Sequence, residues 1–216
     1  MASSILMKSC LKTVTCRLQH GDILAQTLHT TNPNSIISSL WMRLLGVINQ
    51  VYTYRIKEVG PDRACAEWLV KNGGAVRWVG SSSNSIEKDF NRLPQNVGLK
   101  IEEIICDDAV VLPNGFGYLA GLKDVKKFTL HKCRFSSDSM LSSLSHHLAD
   151  SLEHLQISAC PRITQTGLDE LQHLKKLQTL LLFDLKCIED KAACVEQLKQ
   201  KLPSKCQIDF TNGQKT

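Results

Sequence analysis

The sequence contains no long hydrophobic run, few aromatic residues and little excess charge. Aromatic residues make up 6% of its 216 residues, and no stretch of about 18 consecutive apolar residues occurs, so the pattern excludes a membrane-spanning helix. Lys and Arg number 26 against 21 Asp and Glu. A nucleic-acid interface requires basic residues gathered on one surface, whereas here they alternate with acids. We therefore expect no nucleic-acid partner.

Motifs of disulfide frameworks and of common enzymes are also missing. Cysteine occurs nine times but never as Cys-x-x-Cys, and no Asn-x-Ser/Thr glycosylation site is present. The odd cysteine count is typical of buried thiols in a reducing compartment. The sequence has no phosphate-binding Gly-Lys-Ser/Thr loop, no Gly-x-Ser-x-Gly turn and no His-Glu-x-x-His pair. We therefore expect neither catalysis nor a small-molecule substrate.

Apolar residues recur at fixed offsets in the second half of the chain. Within residues 152–171, Leu155 and Ile157 alternate as in a short strand, Cys160 takes a turn position that favours Asn or Cys, and Leu168 begins a helix. These offsets are typical of a leucine-rich repeat. Equivalent strand residues lie 24, 27 and 25 positions apart, within the 20–29 expected of this repeat: Ile104, Phe128, Leu155 and Leu180.

A repeat of this kind buries its apolar face only against neighbouring repeats. We therefore predict an α/β fold in which residues 96–216 form a short leucine-rich-repeat solenoid of about four repeats, with parallel strands and helices. A small, mainly helical capping domain over residues 36–95 is predicted to precede it.

The predicted capping domain contains an apolar stripe at helical spacing. Its members are Ile37, Leu40, Trp41, Leu44, Ile48 and Val51. We expect this stripe to pack inside the domain rather than on a membrane or partner helix, because the polar face offers only Arg43 as a basic group. Further on, Gly60-Pro61-Asp62 predicts a helix start, Asn72-Gly73-Gly74 predicts its end, and residues 75–79 predict a strand.

Residues 1–35 have the composition of a mitochondrial transit peptide. They contain Lys8, Lys12 and Arg17, many Ser and Thr residues, and no acid before Asp22. Apolar residues also fall on one face of a possible helix, which is typical of such targeting segments. The alternative is a disordered tail without a targeting role.

Several motifs in the first half carry a resemblance to a known family. They are Arg55-Ile56, Val59-Gly60-Pro61-Asp62-Arg63-Ala64, Glu67-Trp68-Leu69, Gly73, Val76-Arg77 and Lys88-Asp89-Phe90-Asn91-Arg92-Leu93-Pro94. With the cysteine-bearing repeats that follow, the chain resembles the mitochondrial ATP synthase subunit s family, also called coupling factor B, over residues 41–210. The resemblance is specific because the motifs occur in the family's order.

The resemblance implies a non-catalytic protein, peripheral on the matrix side of the mitochondrial inner membrane, that supports energy coupling or assembly in proton-driven ATP synthesis. Its implied partners are membrane-sector or stalk subunits of ATP synthase and the inner-membrane surface. A related branch is tied to assembly of the distal membrane arm of respiratory complex I, and the residues alone do not separate these roles. A leucine-rich-repeat substrate receptor of a ubiquitin ligase is an alternative of another class, but it requires an additional helical adaptor-binding motif.

The resemblance further implies two chemical features. One is a magnesium ion held by main-chain carbonyls, which by position fall at Gly73 and Asp107. The alternative is that Gly73 caps a helix and Asp107 lies in a solvated turn. The other feature is a Cys-x-Cys dithiol, but here His131 precedes Cys133, so no vicinal dithiol forms at that place.

The outward-facing side chains of the predicted strands are the candidate partner-binding residues. They are Glu103, Lys127, Thr129, His131, His154 and Gln156. Repeat proteins bind partners on such strand-lined surfaces. Because two histidines lie near the middle of this set, we expect a polar and pH-sensitive protein contact.

Overall fold

A single mixed sheet organises the chain. In the residues that the computed structural model describes, 33–82, 84–96 and 98–211, six strands form one sheet with neighbours in sequence order. The strands are β1 (Ala75–Trp78), β2 (Ile101–Asp107), β3 (Lys127–His131), β4 (His154–Ser158), β5 (Thr179–Phe183) and β6 (Gln207–Thr211). β1 pairs antiparallel with β2, and every later pair is parallel. The predicted α/β class is confirmed at this level.

Helices occupy the first segment of the described chain and the connections between the parallel strands. They are α1 (Pro33–Ile48), α2 (Thr53–Val59), α3 (Pro61–Lys71), α4 (Asp138–His147), α5 (Gln165–Asp169) and α6 (Lys191–Lys201). Short 3-10 helices lie at Phe90–Arg92, Pro113–Leu119 and Glu170–His173. α3 begins at Pro61 and ends before Gly73, which has a φ of 86°. Its predicted start and end are confirmed.

The contacts of the chain divide it into two units. Met1–Met42 forms one unit and Arg43–Thr216 the other. Residues 1–32 of the predicted transit peptide lie outside the described residues, so that segment stays a prediction. So does the boundary near residue 95, although β1 on one side of it pairs with β2 on the other.

Alternate residues of the parallel strands build the core. Ile104, Phe128, Leu155 and Leu180 lie side by side in register and are at most 1% exposed. A second buried row runs parallel to the first and consists of Cys106, Leu130, Ile157 and Leu182. Since successive side chains of a strand point to opposite faces, the residues between these rows face outward.

A residue in the left-handed conformation follows each of β2 to β5. These residues are Asp108, Lys132, Ala159 and Asp184, with φ between 49° and 53°. The N–H of Lys132 donates to the carbonyl of Ser158 at 3.0 Å, and the N–H of Ala159 donates to that of Phe183 at 3.1 Å. The turn thus extends the strand ladder by one bond and then directs the chain away from the sheet.

The apolar stripe predicted for the first helix is wrong in part. Leu40 and Leu44 are 57% and 48% exposed, whereas Leu45 and Asn49 are buried. The buried Leu45 of the helix therefore lies outside the predicted stripe. It is next to the polar Asn49, whose side chain donates a hydrogen bond to the Leu45 carbonyl.

Candidate functional site

The predicted partner-binding residues lie together on the outward face of β2, β3 and β4. Glu103 pairs with Lys127 and Lys127 with His154 in one row across the sheet, while Thr129 and Gln156 are neighbours in the next row. We call the outward side chains of β2 to β5 the strand surface. Its residues are Glu103, Ile105, Asp107, Lys127, Thr129, His131, His154, Gln156, Ser158, Thr179, Leu181 and Phe183.

An ionic cluster occupies one edge of the strand surface. Lys127 Nζ and Arg77 Nε lie 2.9 Å from the two carboxylate oxygens of Glu103, and Arg77 also pairs with Glu102. Glu103 is only 6% exposed. Burial raises the pKa of its carboxyl group, but the hydrogen bonds and charges of Lys127 and Arg77 outweigh burial, and the net pKa is lowered. Lys127 is therefore the accessible charge, and Glu103 holds it in position.

The two histidines of the surface each contact the next strand. His131 Nδ1 lies 2.7 Å from the Ser158 hydroxyl, and its ring lies 5.9 Å from that of Phe183. His154 Nδ1 lies 2.7 Å from the Thr179 hydroxyl. Both imidazoles are half-buried. These contacts orient the rings within the surface and leave one edge of each free to meet a partner.

A shallow depression of about 370 Å³ lies at the centre of the strand surface. Lys127, Thr129, His154, Gln156 and Leu181 line it. Leu181 is 40% exposed, which makes it the most prominent apolar group on β5. An apolar side chain surrounded by polar groups is the usual composition of a protein-binding site.

Buried thiols lie beneath the strand surface. Cys106, Cys133 and Cys160 are fully buried, and the cysteines in the described residues are all free. The Cys133 thiol donates to the carbonyl of Cys106 at 3.4 Å. A hydrogen bond with Cys160 and burial raise the pKa of Cys133, and burial raises that of Cys106. The prediction of buried repeat-core thiols is confirmed.

The two residues predicted to hold magnesium lie beside neighbouring loops, Gly73 in the loop after α3 and Asp107 at the end of β2. Gly73 follows α3, and a Cβ built on it would lie 3.9 Å from Cα of Ala109. The N–H of Val110 donates to the Asn72 carbonyl at 2.9 Å, which holds the loop after Asp107 against the end of α3. No group of three His, Cys, Asp or Glu side chains suited to a metal occurs among the described residues. Main-chain carbonyls and water would therefore have to supply the ligands, and both loops offer carbonyls.

The sequence did not reveal a buried network centred on Asn49. The Asn49 amide donates to the carbonyls of Leu45 and Val110 and to the Asn72 side chain at 3.0–3.1 Å. Its oxygen accepts from Trp68 Nε1 and from the Leu112 N–H. This one side chain connects α1, α3 and the loop after β2. A buried asparagine gives no apolar periodicity, so no pattern could have indicated it.

None of the helices in the described part of the chain has both the length and the apolar character needed to cross a bilayer.

The fold defines the chain as an α/β protein in which the outward face of the parallel strands is accessible to a partner. No protein-family model matches the chain. It is 39% identical to ATP synthase subunit s, mitochondrial, of Rattus norvegicus and 38% identical to that of Homo sapiens, each over 76% of this chain and 83% of the relative. It is also 27% identical to Distal membrane arm assembly component 2 of Drosophila melanogaster, over 73% of this chain and 56% of that protein. The chain belongs to the mitochondrial ATP synthase subunit s family, as the motifs predicted.

Proposed function

We propose that this chain is a non-catalytic interaction protein that supports ATP synthase energy coupling or assembly. Its membership of the subunit s family is the observation that carries this proposal, since the match extends over most of both chains. The proposed location is the matrix side of the mitochondrial inner membrane, where the chain is peripheral. Residues 1–35 are proposed to act as the transit peptide.

We infer that β2 to β6 and their connections form a short leucine-rich-repeat solenoid. Equivalent buried residues are spaced by about two dozen positions, as in this repeat. Left-handed residues follow four successive strands, and parallel pairing continues through all of them. The same turn and the same strand register thus recur in each unit, which supports a repeat architecture.

The strand surface is the proposed contact with membrane-sector or stalk subunits of ATP synthase. Lys127, Thr129, His154 and Gln156 supply polar groups around the exposed Leu181, and His131 lies farther along the same face. Glu103 contributes indirectly, because its carboxylate is held by Arg77 and Lys127. Polar groups that encircle one apolar side chain favour a specific protein contact over a lipid surface.

A second candidate function is assembly of the distal membrane arm of respiratory complex I. The similarity to Distal membrane arm assembly component 2 favours it, because that match covers 73% of this chain. The identity is only 27%, however, and the match covers about half of that protein. We therefore rank this role below the ATP synthase role.

Affinity purification from mitochondria tests the proposal. Tagged wild-type protein should recover ATP synthase subunits, and a Leu181→Arg variant should recover at least about tenfold less if the strand surface carries the contact. Gln197→Arg is the matched control, because Gln197 is exposed on α6 outside this surface. Recovery of complex I subunits alone would support the second candidate, and recovery of ubiquitin ligase subunits alone would contradict both.

We also propose that the carbonyls of Gly73 and Asp107, together with water, hold a magnesium ion. Magnesium is a hard cation that prefers oxygen ligands and keeps several waters, so main-chain carbonyls with water are suitable ligands. Calorimetric titration of chelator-treated protein with magnesium should give a binding heat and raise the melting temperature. Absence of both effects would remove the site.

A further inference from the structure

A second apolar surface lies on elements that do not contribute to the strand surface. It is a groove of about 540 Å³ between the end of α1, α2, α3 and the 3-10 helix Phe90–Arg92. We call it the aromatic groove. Its large apolar lining residues include Val47, Tyr52, Tyr54, Trp68, Phe90 and Tyr118.

The floor of the aromatic groove is rigid. The rings of Trp68 and Tyr118 stack with centroids 5.5 Å apart and planes 19° from parallel. The Tyr118 hydroxyl accepts from the N–H of Tyr52 at 3.1 Å and donates to the carbonyl of Gln50 at 3.2 Å. Trp68 Nε1 donates to Asn49. Since the polar atoms of both rings are already bonded inside the protein, the floor offers only apolar contact.

The side chains that form the walls of the groove are large and apolar, yet they are exposed to water. Tyr54 is 67% exposed and Val47 is 55% exposed, and Tyr52 and Phe90 are also exposed. A cluster of large apolar side chains on a rigid floor is typical of a protein-binding site, where aromatic residues contribute most of the binding energy. Contact with an apolar side chain would remove this surface from water.

Four charged residues line the groove, Arg55, Glu58, Glu67 and Lys71, and both acids are held by Arg55, so Lys71 is left as the basic group at its edge. Lys71 Nζ lies 4.7 Å from the centre of the Phe90 ring, and no carboxylate of the described residues forms an ion pair with it. Arg55, by contrast, pairs with Glu58 at 2.8 Å and with Glu67 at 2.7 Å. The sequence contains no Asp or Glu between Pro33 and Lys57. An acidic group on a partner would therefore complement this edge.

We propose that the aromatic groove binds a segment of a partner protein that inserts one apolar side chain against Trp68 and Tyr118 and places a carboxylate beside Lys71. The groove is concave, so a single side chain reaches its floor, whereas a flat bilayer would meet only the rim. This contact is separate from the strand surface and does not depend on which complex the strand surface contacts.

Selection of peptides from a random phage-displayed library on the full-length protein tests this inference. Enriched peptides should share an aromatic or large aliphatic residue close to Asp or Glu. Selection on Lys71→Glu should replace the acid by Lys or Arg, because the charge at the rim is reversed. Peptides without a shared acidic and apolar pair would overturn the proposal.

The best peptide, synthesised and titrated in solution, supplies the second part of the test. Tyr54→Ala and Phe90→Ala should each weaken its binding at least about tenfold, whereas Val79→Ala, an exposed apolar control outside the groove, should not. Melting curves identify any variant that fails to fold. Equal binding to all folded variants would overturn the proposal. The proposal would also be overturned if no peptide were selected and the protein instead cosedimented with vesicles of phosphatidylcholine and cardiolipin. In that case the Lys71→Glu substitution would abolish the cosedimentation.

Discussion

The side-chain oxygen of Asn49 accepts a hydrogen bond from Trp68 Nε1 at 3.1 Å, and this contact joins two helices inside the protein. The same oxygen accepts from the N–H of Leu112, while the amide nitrogen reaches Val110. Asn49 is fully buried. Both polar atoms of its side chain therefore form hydrogen bonds inside the protein. One of these bonds holds Trp68, which is part of the floor of the aromatic groove.

Replacing Asn49 with Leu should lower the free energy of unfolding by at least about 3 kcal/mol, because it leaves several buried donors and acceptors without partners. Urea unfolding followed by tryptophan fluorescence measures the loss. Asn114→Leu is the matched control, since Asn114 is exposed and donates one hydrogen bond to the Gly46 carbonyl. A loss below about 1 kcal/mol for Asn49→Leu would contradict the structural role of the network.

The parallel strands could be predicted from the sequence, but the side chains of the first segment could not. Apolar and polar residues alternate strictly in β3 and β4, and that period gives both the strands and their buried face, whereas β5 is recognised by its repeat spacing because four of its five residues are apolar. The apolar stripe of α1 predicts burial of Leu40 and Leu44, whereas Leu45 and, just after the helix, the polar Asn49 are buried. Glu103 faces outward by alternation, yet Arg77 covers it from the antiparallel β1. No repeat spacing predicts that pairing.

Replacing Glu103 with Gln should lower the free energy of unfolding by about 1–2 kcal/mol at neutral pH, since its charged hydrogen bonds to Arg77 and Lys127 weaken. The folded pKa of Glu103 is lowered, while the unfolded value is about 4.3. The stabilisation that the Glu103 carboxylate provides is therefore complete above the pKa of the unfolded state and is lost as the pH falls through the pKa of the folded state.

The difference in stability between wild type and Glu103→Gln should consequently shrink as the pH is lowered from about 6 to about 3. Urea titrations at a series of pH values measure it. Glu196→Gln serves as the control, because Glu196 forms only an exposed ion pair with Lys199 and should change stability by less than about 1 kcal/mol. A difference for Glu103→Gln that grows at low pH would show that its carboxylate destabilises the fold.

The left-handed turn after β4 predicts a stabilising substitution. Ala159 has a φ of 50°, a conformation that costs an ordinary residue roughly 1–2 kcal/mol and costs glycine little. Ala159→Gly should therefore raise the free energy of unfolding by about 0.5–1 kcal/mol. Asp184→Gly, at the same turn position after β5 with the same φ, should gain less because aspartate tolerates this conformation. Thermal melts show which of the two substitutions stabilises the protein more. A larger stabilisation by Asp184→Gly than by Ala159→Gly would contradict the strain argument.

The cysteines should divide into fast and slow classes in the folded protein. Cys187 is exposed, with its thiol 3.1 Å from the Pro161 carbonyl, whereas Cys106, Cys133 and Cys160 are buried. The thiolate is the reactive form, and burial raises the pKa of Cys106 and contributes to raising that of Cys133. A hydrogen bond with Cys133 lowers the pKa of Cys160 to about 7, so its slow reaction is expected from its burial alone. Reaction with a thiol-specific disulfide reagent should therefore modify Cys187 at once and the buried three only as the protein unfolds.

A Cys187→Ser variant should lose one rapidly reacting thiol, measured by absorbance and mapped by mass spectrometry, while the slow class should be unchanged. Cys133→Ser should leave the fast class intact, because the Cys133 thiol is buried and donates to the Cys106 carbonyl. Rapid modification of Cys133 in the native wild type would show that the core beneath β2 and β3 opens in solution.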